Sequence, residues 1–560
     1  MDEKKYTIGL VFGITSARAI LVELSDGTIL ASSTQKYRHG IMEGHLFVSG
    51  QDLKLGWALN DPSDYLLSLR YLIKDILKQS QVNPEDIIAV GVSANASAML
   101  PTLADGTPLA YLDDFKNDPH AYVKTRKHEA AQIEADLIND LAVARFEGFL
   151  DNFGGKINAD WFFPKVLQTV RESPHVHHNT SRYVEVGDWI VWQLTGVESR
   201  NITAAGFTAL WTKTEGFPSD DFLKLLHPGM EHIVQEKMCP NVTSLGTNIG
   251  GITPNAAKLL GLNPGTIVAT AMVDFMAAVP ASAVVEPGDM VIMLGSNNVH
   301  MILAKKQLRI PGMCGVVSDG IIPGYFGYEA GQACVGDHFK WFIQNCVPSA
   351  YEKEAKKQKT SVFNLLEEKA AKLQAGESGL IALDWWNGNR SILADNDLSG
   401  LILGLNLATK PEEIYRALLE ATAFGTRKIL ETFLASGIHI NGLIATGTVA
   451  RNNPVLMQIF ADVTNMEVRI AESADTPALG AAMYASVAAG QELGGHNDIQ
   501  AAAHAMTHLR KVSYLPETAA KKVYDRFYAE YTRLHDYFGY SHNDVMKFLK
   551  AIRKDIKEKL

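Results

Sequence analysis

Three short turns of small and polar residues follow apolar runs in this chain: Phe12-Gly13-Ile14-Thr15-Ser16-Ala17, Gly295-Ser296-Asn297-Asn298 and Thr446-Gly447-Thr448-Val449-Ala450. Small side chains leave backbone N–H groups uncovered, so such turns let amides approach the oxygens of a phosphate. A fourth apolar run, Thr266 to Ala271, leads to Val273-Asp274 and sets a carboxylate at a strand end. Each feature alone reads as an ordinary turn. Together they form a constellation, because α/β folds bind ligands beyond the carboxyl ends of their strands.

The elements that must position these residues follow from hydrophobic spacing. Tyr6–Val11, Arg18–Leu24 and Thr28–Ser32 read as successive strands, with Asp26-Gly27 as a hairpin turn. Leu66, Leu69, Ile73, Ile76 and Leu77 recur at helical spacing from Pro62 to about Gln81, and Ile87–Val92 reads as a buried strand. A similar β-rich unit begins again beyond residue 260, with Asp289–Leu294 as a strand. Ala121 to Arg145 and Asp221 to Leu226 read as helices. Helix Pro411–Ser436, strand Gly442–Thr446 and helix Pro454–Thr464 make a further α/β unit, and Pro516 to Leu560 a charged helical tail. The Gly-, Asn- and Pro-containing segment 240–254 predicts a boundary near residue 250, dividing the chain into 1–250 and 251–560.

Composition and missing motifs narrow the class. The chain has 560 residues, and 52 Lys+Arg against 62 Asp+Glu give a net charge of −10, without the basic footprint of a nucleic-acid binder. No uninterrupted apolar span is long enough for a transmembrane helix. The start Met1-Asp2-Glu3-Lys4-Lys5-Tyr6 lacks an export signal. Cys239, Cys314, Cys334 and Cys346 contain no CxxC pair, so the expected compartment is the reducing cytoplasm. Gly154-Gly155-Lys156 is followed by Ile157 where a Walker A loop needs Ser or Thr, and no GxGxxG turn follows a strand. His175-Val176-His177-His178 lacks a partner acid or cysteine at ligand spacing and reads as a solvated cluster.

Longer segments carry a resemblance. Pro311-Gly312-Met313-Cys314-Gly315-Val316-Val317, Gly327-Tyr328-Glu329-Ala330-Gly331-Gln332, Leu383-Asp384-Trp385-Trp386-Asn387-Gly388-Asn389-Arg390 and Glu420-Ala421-Thr422-Ala423-Phe424-Gly425-Thr426-Arg427 resemble the FGGY carbohydrate kinases, most closely their L-ribulokinase branch. The resemblance implies an α/β fold of two ribonuclease-H-like (actin-like ATPase) domains flanking a catalytic cleft. It implies transfer of the ATP γ-phosphate to a hydroxyl of a ketopentose such as L-ribulose, with Mg²⁺. Phosphoryl transfer needs mainly alignment and charge neutralisation, for which one base and several donors suffice. By the same resemblance Asp274, placed in the second domain, is the general base. Gly13, Ser16, Arg18, Gly295, Ser296, Asn297, Gly447, Thr448 and Asn452 would hold the nucleotide, and Ala96, Thr208, Asp274 and Glu329 the sugar. The expected partner is a small sugar, with neither nucleic acid nor membrane; a homodimer stays open.

The departures from the family pattern fall in the cleft. Val11 stands where the first phosphate loop has an acid that organises metal, Ile14 where it has a hydroxyl, and Thr448 where the adenosine loop has a second glycine. Thr208 replaces a lysine of the branch, Ser93-Ala94-Asn95 replaces Asp-Phe-Thr, and Phe275-Met276 replaces His-Ala. The metal ligands therefore stay open, with Asp384 and Glu329 as candidate substitutes for residue 11. A second reading, a pseudokinase that binds sugar or nucleotide as a sensor, stands beside the kinase.

Overall fold

A computed structural model describes residues 4–557; residues 1–3 and 558–560, which include part of the chain start and Lys559 of the basic tail, lie outside the described residues. The first half is built on strands β1 (Tyr6–Phe12), β2 (Ser16–Glu23), β3 (Ile29–Lys36), β4 (Ile87–Ala94), β5 (Asn248–Gly251), β6 (Ile267–Ala269) and β7 (Met272–Val273). They pair in the order β5-β6-β4-β1-β2-β3, with β7 also on β4. β1, β2 and β3 form an antiparallel meander, and β4 lies parallel to β1. Helix α1 (Pro62–Ser80) connects the meander to β4; its N-terminus is capped by the Asp61 carboxylate on Ser63 N–H, with Pro62 in the first turn.

The second half repeats the plan. Strands β8 (Asp289–Leu294), β9 (Asn298–Ala304), β10 (Gly315–Ser318), β11 (Phe326–Gln332), β12 (Gly442–Thr446), β13 (Val468–Ala471) and β14 (Leu509–Tyr514) pair in the order β10-β11-β9-β8-β12-β13-β14. Here too an antiparallel set, β8-β9-β11, is extended by a parallel strand, β12 on β8. The expected pair of ribonuclease-H-like units is the observed architecture. The sheets divide later than expected, however. β5, β6 and β7 belong to the first sheet through β4, so the boundary falls between Ala281 and Asp289 rather than near residue 250. Asp274 accordingly stands at the end of the first sheet, not in the second domain. Residues 122–131 are not helical either: Val123–Lys124 pairs with Leu59–Asn60 in a small four-stranded sheet, and the helix begins at Gln132.

Two helices join the halves: α2 (Asp274–Ala281) and, after α3 (Pro411–Ala435) and α4 (Pro454–Thr464), α5 (Thr476–Ala489). α5 lies between the first sheet and α2, at a distance only glycine permits. A Cβ on Gly9 of β1 would stand 1.9 Å from the Ala478 carbonyl oxygen, and one on Gly91 of β4 1.9 Å from that of Ala481. On the opposite face of α5, a Cβ on Gly480 would stand 1.8 Å from the Ala277 oxygen. Thr7 Oγ1 donates to the Ala482 carbonyl at 3.1 Å across the same seam. The core between the sheets is apolar around it, with Met276, Val279, Leu479 and Met483 buried.

Gly480→Ala forces α2 and α5 apart against backbone rather than flexible side chains. The expected loss is about 1–3 kcal/mol or more, read as a lowered thermal unfolding midpoint. Gly44→Ala, at a position with no atom within 4 Å, leaves the midpoint unchanged.

Candidate active site

The carboxyl ends of the two sheets meet at a cavity of about 680 Å³. Ile14, Asn95, Asp274, Gly295, Ser296 and Asn297 line it, together with Arg126, Asp160, Asp337 and Arg390. The three glycine-containing turns are joined at one end of it through a chain of contacts. Gly447, at φ +94°, backs onto Leu294, where a Cβ would lie 2.3 Å from the carbonyl oxygen. The preceding Thr446 shares a 2.7 Å hydrogen bond with Thr476 at the start of α5. The residue before that, Asp475, forms an ion pair with Arg18 of β2. In the first turn, Gly13 N–H donates to the Ser16 carbonyl at 3.0 Å, and the Gly13 carbonyl accepts from the Tyr37 hydroxyl at 2.9 Å. Of the nine positions expected to hold nucleotide, Gly295, Ser296 and Asn297 line the cavity. Gly13, Ser16, Arg18 and Gly447 stand in the turns beside it, and Thr448 and Asn452 are exposed on the short helix after Gly447.

Asp274 is the first residue of α2. Its Oδ1 accepts from Phe275 N–H at 2.8 Å. Burial pushes its carboxyl up to about 6, opposed by the positive charge of Arg126. Arg126 is the hub of this wall. Its Nη2 donates to Glu329 Oε1 at 3.2 Å, its Nε lies 3.8 Å from Asp160 Oδ2, and its guanidinium covers the Phe275 ring at 4.8 Å. Glu329, on β11, is pushed up to about 7 by burial; Arg126 opposes the rise, while Asp160 and Asp274 add to it. Arg390 Nη2 makes a second bond to Glu329 Oε1 at 2.8 Å, and Arg390 Nε donates to Cys314 Sγ at 3.2 Å. The Arg126–Glu329 pair therefore ties the first half to the second, with Arg126 on the cavity lining and the buried Glu329 not among the lining residues.

Arg126 and Asp160 escape the sequence reading, since Arg126 lies in a stretch expected to be helical and Asp160 in a loop without periodicity. Arg390 does fall in one of the family-like segments. Ala96 and Thr208 stand behind the wall instead of on it: both are buried, and Thr208 Oγ1 donates to Glu185 Oε1 at 3.1 Å. A threonine is too short to reach past that carboxylate.

Neither proposed substitute for residue 11 is free to hold metal. Asp384 is buried against Gln332 Nε2 (2.8 Å) and the Tyr531 hydroxyl (3.1 Å), and Glu329 is held by two arginines. Val11 itself lies opposite Arg18 in the β1–β2 register. Among the described residues no three His, Cys, Asp or Glu side chains form a metal cluster. Glu43, Glu129, Asp160, Asp274 and Asp337 are the carboxylates that line the same cavity as Gly295–Asn297. That arrangement suits Mg²⁺, which keeps several waters and is commonly bound through one or two carboxylates plus substrate phosphates.

The N-terminal domain model of the FGGY family of carbohydrate kinases matches residues 6–280, and its C-terminal domain model residues 290–489. The chain belongs to this family. It is 49% identical to a ribulokinase of Halalkalibacterium halodurans over 98% of both chains, and 41% identical to a ribulokinase of Mycolicibacterium smegmatis over 98% of this chain and 97% of that one. In fold it is similar to the xylulose kinase of Rhodospirillum rubrum, with a TM-score of 0.76 at 23% identity, covering 95% of this chain and 99% of that one. A glycerol kinase of Plasmodium falciparum crystallised with ADP gives a TM-score of 0.72 at 15% identity, over 95% and 98%. No described helix is long and apolar enough to cross a membrane.

An ionised Asp274 costs stability. With its folded pKa near 6 and an unfolded value near 3.8, the penalty is absent below about pH 4 and complete above about pH 7. Asp274→Asn, which keeps an acceptor for Phe275 N–H, should raise stability at pH 7.5 by roughly 1–3 kcal/mol. The difference between variant and parent closes as the pH falls to 4, measured by urea unfolding across that range.

Proposed function

We propose that this chain is an ATP-dependent ribulokinase-type enzyme that transfers the ATP γ-phosphate to a hydroxyl of a ketopentose such as L-ribulose, giving ADP and the sugar 5-phosphate. The observation that carries this reading is the shared wall: Asp274, with a carboxyl near 6, lines one cavity with the Gly295–Asn297 turn. A carboxylate of that strength is ionised at neutral pH yet basic enough to take a proton from an attacking hydroxyl. Asp274 accepts that proton as the sugar oxygen attacks phosphorus. Backbone amides of the Gly13 and Gly295 turns, with Arg18 beside them, hold the phosphates in line. Glu329 acts through Arg126 and Arg390, which it holds in place on the cavity lining.

Gly447 is required by its close approach to the Leu294 carbonyl, and Thr448 after it is exposed, so its methyl and hydroxyl do not fill the turn. Mg²⁺, entering with the nucleotide, would be held by its phosphates with Asp274 and Asp337 and would neutralise the charge that builds on the transferring group. The sensor reading finds no support: the whole-chain similarity is to ribulokinases. Four free cysteines fit the cytoplasm as its compartment.

ADP release with Mg-ATP, L-ribulose and a panel of ketoses and polyols tests this directly. Sugar-dependent turnover should fall about 10²–10⁴-fold in Asp274→Asn; turnover equal to the parent, or none with any sugar in the parent, overturns the proposal. Because the base must be ionised, kcat/KM rises with pH through a midpoint near 6. Arg126→Met removes the cation that stabilises ionised Asp274, while the negative charges of Glu329 and Asp160 and the Tyr37 ring remain nearby, so the midpoint moves to higher pH.

A further inference from the structure

A surface helix ordinarily turns its apolar stripe to the core. The helix α6 (Asp544–Lys557) turns it to solvent. Val545, Phe548, Leu549, Ile552 and Ile556 recur at helical spacing along one side and are 41–60% exposed, while Met546 is buried. The side laid on the body is basic. Lys547 Nζ lies 2.8 Å from Asp395 Oδ2, and Lys550 Nζ donates to the Asn396 carbonyl at 2.7 Å and to Asp397 Oδ1 at 2.9 Å. The Met546 thioether accepts from Ser399 N–H at 3.4 Å. All of these contacts fall on the segment Asp395–Ser399, whose Asn396 lines the active-site cavity. Asp395 in turn exchanges two backbone hydrogen bonds of 2.9 Å with Asn389, the neighbour of Arg390. The Lys550 charge also reaches Glu129 on the cavity lining, where it opposes the rise that burial gives that carboxyl.

The stripe is complementary to itself. Val545, Leu549, Ile552 and Ile556 are spaced four, three and four residues apart, the repeat of a coiled-coil seam, and that order reads the same from either end. An antiparallel second copy therefore pairs Val545 with Ile556 and Leu549 with Ile552 across the interface, twice each. Five side chains so exposed present roughly 400 Å² of apolar surface, as much as a typical monomer shows in its largest patch. Doubled across a two-fold axis, with the flanking polar residues, the contact approaches the ~1,200 Å² at which specific interfaces begin. A lipid surface fits less well, because the lysines that would meet anionic headgroups are engaged on Asp395 and Asp397 and the chain carries a net charge of −10. We propose that α6 is a self-association face, on which a second copy of this chain lays its own α6 antiparallel about a two-fold axis, and that the pairing fixes the Asp395–Ser399 segment at the cavity wall. The association is independent of the kinase reading above; its effect on turnover rests on that reading.

Sedimentation velocity of the full chain over a range of concentrations reads the association, and sugar-dependent ADP release over the same range reads its effect. Specific activity rises by about five- to ten-fold through the concentration at which the pair forms. Leu549→Lys and Ile552→Glu each weaken pairing about 100-fold or more, because a charge is buried against an apolar side chain. Each variant keeps the lower activity at every concentration. Both positions are exposed, so neither substitution lowers the unfolding midpoint of the monomer. Mixed one to one, the two variants pair again and recover activity, since the antiparallel register sets the introduced lysine of one chain against the introduced glutamate of the other. A parent that is monomeric at every concentration, whether or not it floats with vesicles of anionic phospholipid, overturns the self-association. A mixture that stays monomeric overturns the antiparallel register. Pairing with no change in specific activity overturns the link to the cavity wall. A parent without turnover on any sugar overturns the kinase reading and that link with it, while sedimentation still decides the pair.

Discussion

The close approach of backbone at Gly9, Gly91 and Gly480 is the constraint on which the site depends. α5 is wedged between the first sheet and α2 with carbonyl oxygens where Cβ atoms would otherwise lie. Asp274 opens α2, and Asp475, the partner of Arg18, precedes α5. The distance between these helices therefore sets the distance between the proposed base and the phosphate-binding turns. A cleft built on flexible side-chain packing would let that spacing drift. Backbone against backbone does not, because interiors this dense transmit displacement rather than absorb it.

The electrostatics at the cavity floor work against stability and toward chemistry. Asp274, Asp160 and Glu329 crowd three acids around Arg126, with Arg390 as a second cation on Glu329. One arginine cannot fully offset burial of so many carboxyls, and both Asp274 and Glu329 are raised as a result. A carboxylate at its ordinary strength would be a poor proton acceptor at neutral pH. The same burial that costs folding free energy supplies the basicity, and the Arg126–Glu329 pair adds a cross-link between halves that share little covalent chain.

Local signals in the sequence carried the strands and the turns, because glycine turns and alternating apolar residues act over a few positions. The pairing of strands did not follow from them. β6 reads as the opening of a second unit and β5 lies in the expected boundary segment, yet both add to a sheet begun more than 200 residues earlier, β6 parallel to β4 and β5 antiparallel to β6, pairings that leave no local trace. Val123–Lys124 was hidden in the same way, and Arg126 with it, since a two-residue strand in a remote sheet interrupts what reads as helix. Ala96 and Thr208 were found by position in a pattern. Where the Thr208 side chain points depends on Glu185, which comes from an element the pattern did not connect.

Val11 bears on how the two halves share the work of holding nucleotide. The first turn brings apolar Ile14 to the cavity, whose lining also holds the Gly295–Asn297 turn and the carboxylates of Asp160, Asp274 and Asp337. Arg18, opposite Val11 in the sheet, finds its counter-charge in Asp475 at the head of α5. A divalent cation would therefore be organised from the side of the Gly295 turn, leaving the first turn to contribute amides and the Arg18 charge. If a divalent cation enters with the nucleotide, the acid missing at residue 11 is compensated in part, because Mg²⁺ draws most of its oxygens from phosphate and water. The proposed proton acceptor, Asp274, has no such substitute, and burial and the charge of Arg126 act on it together.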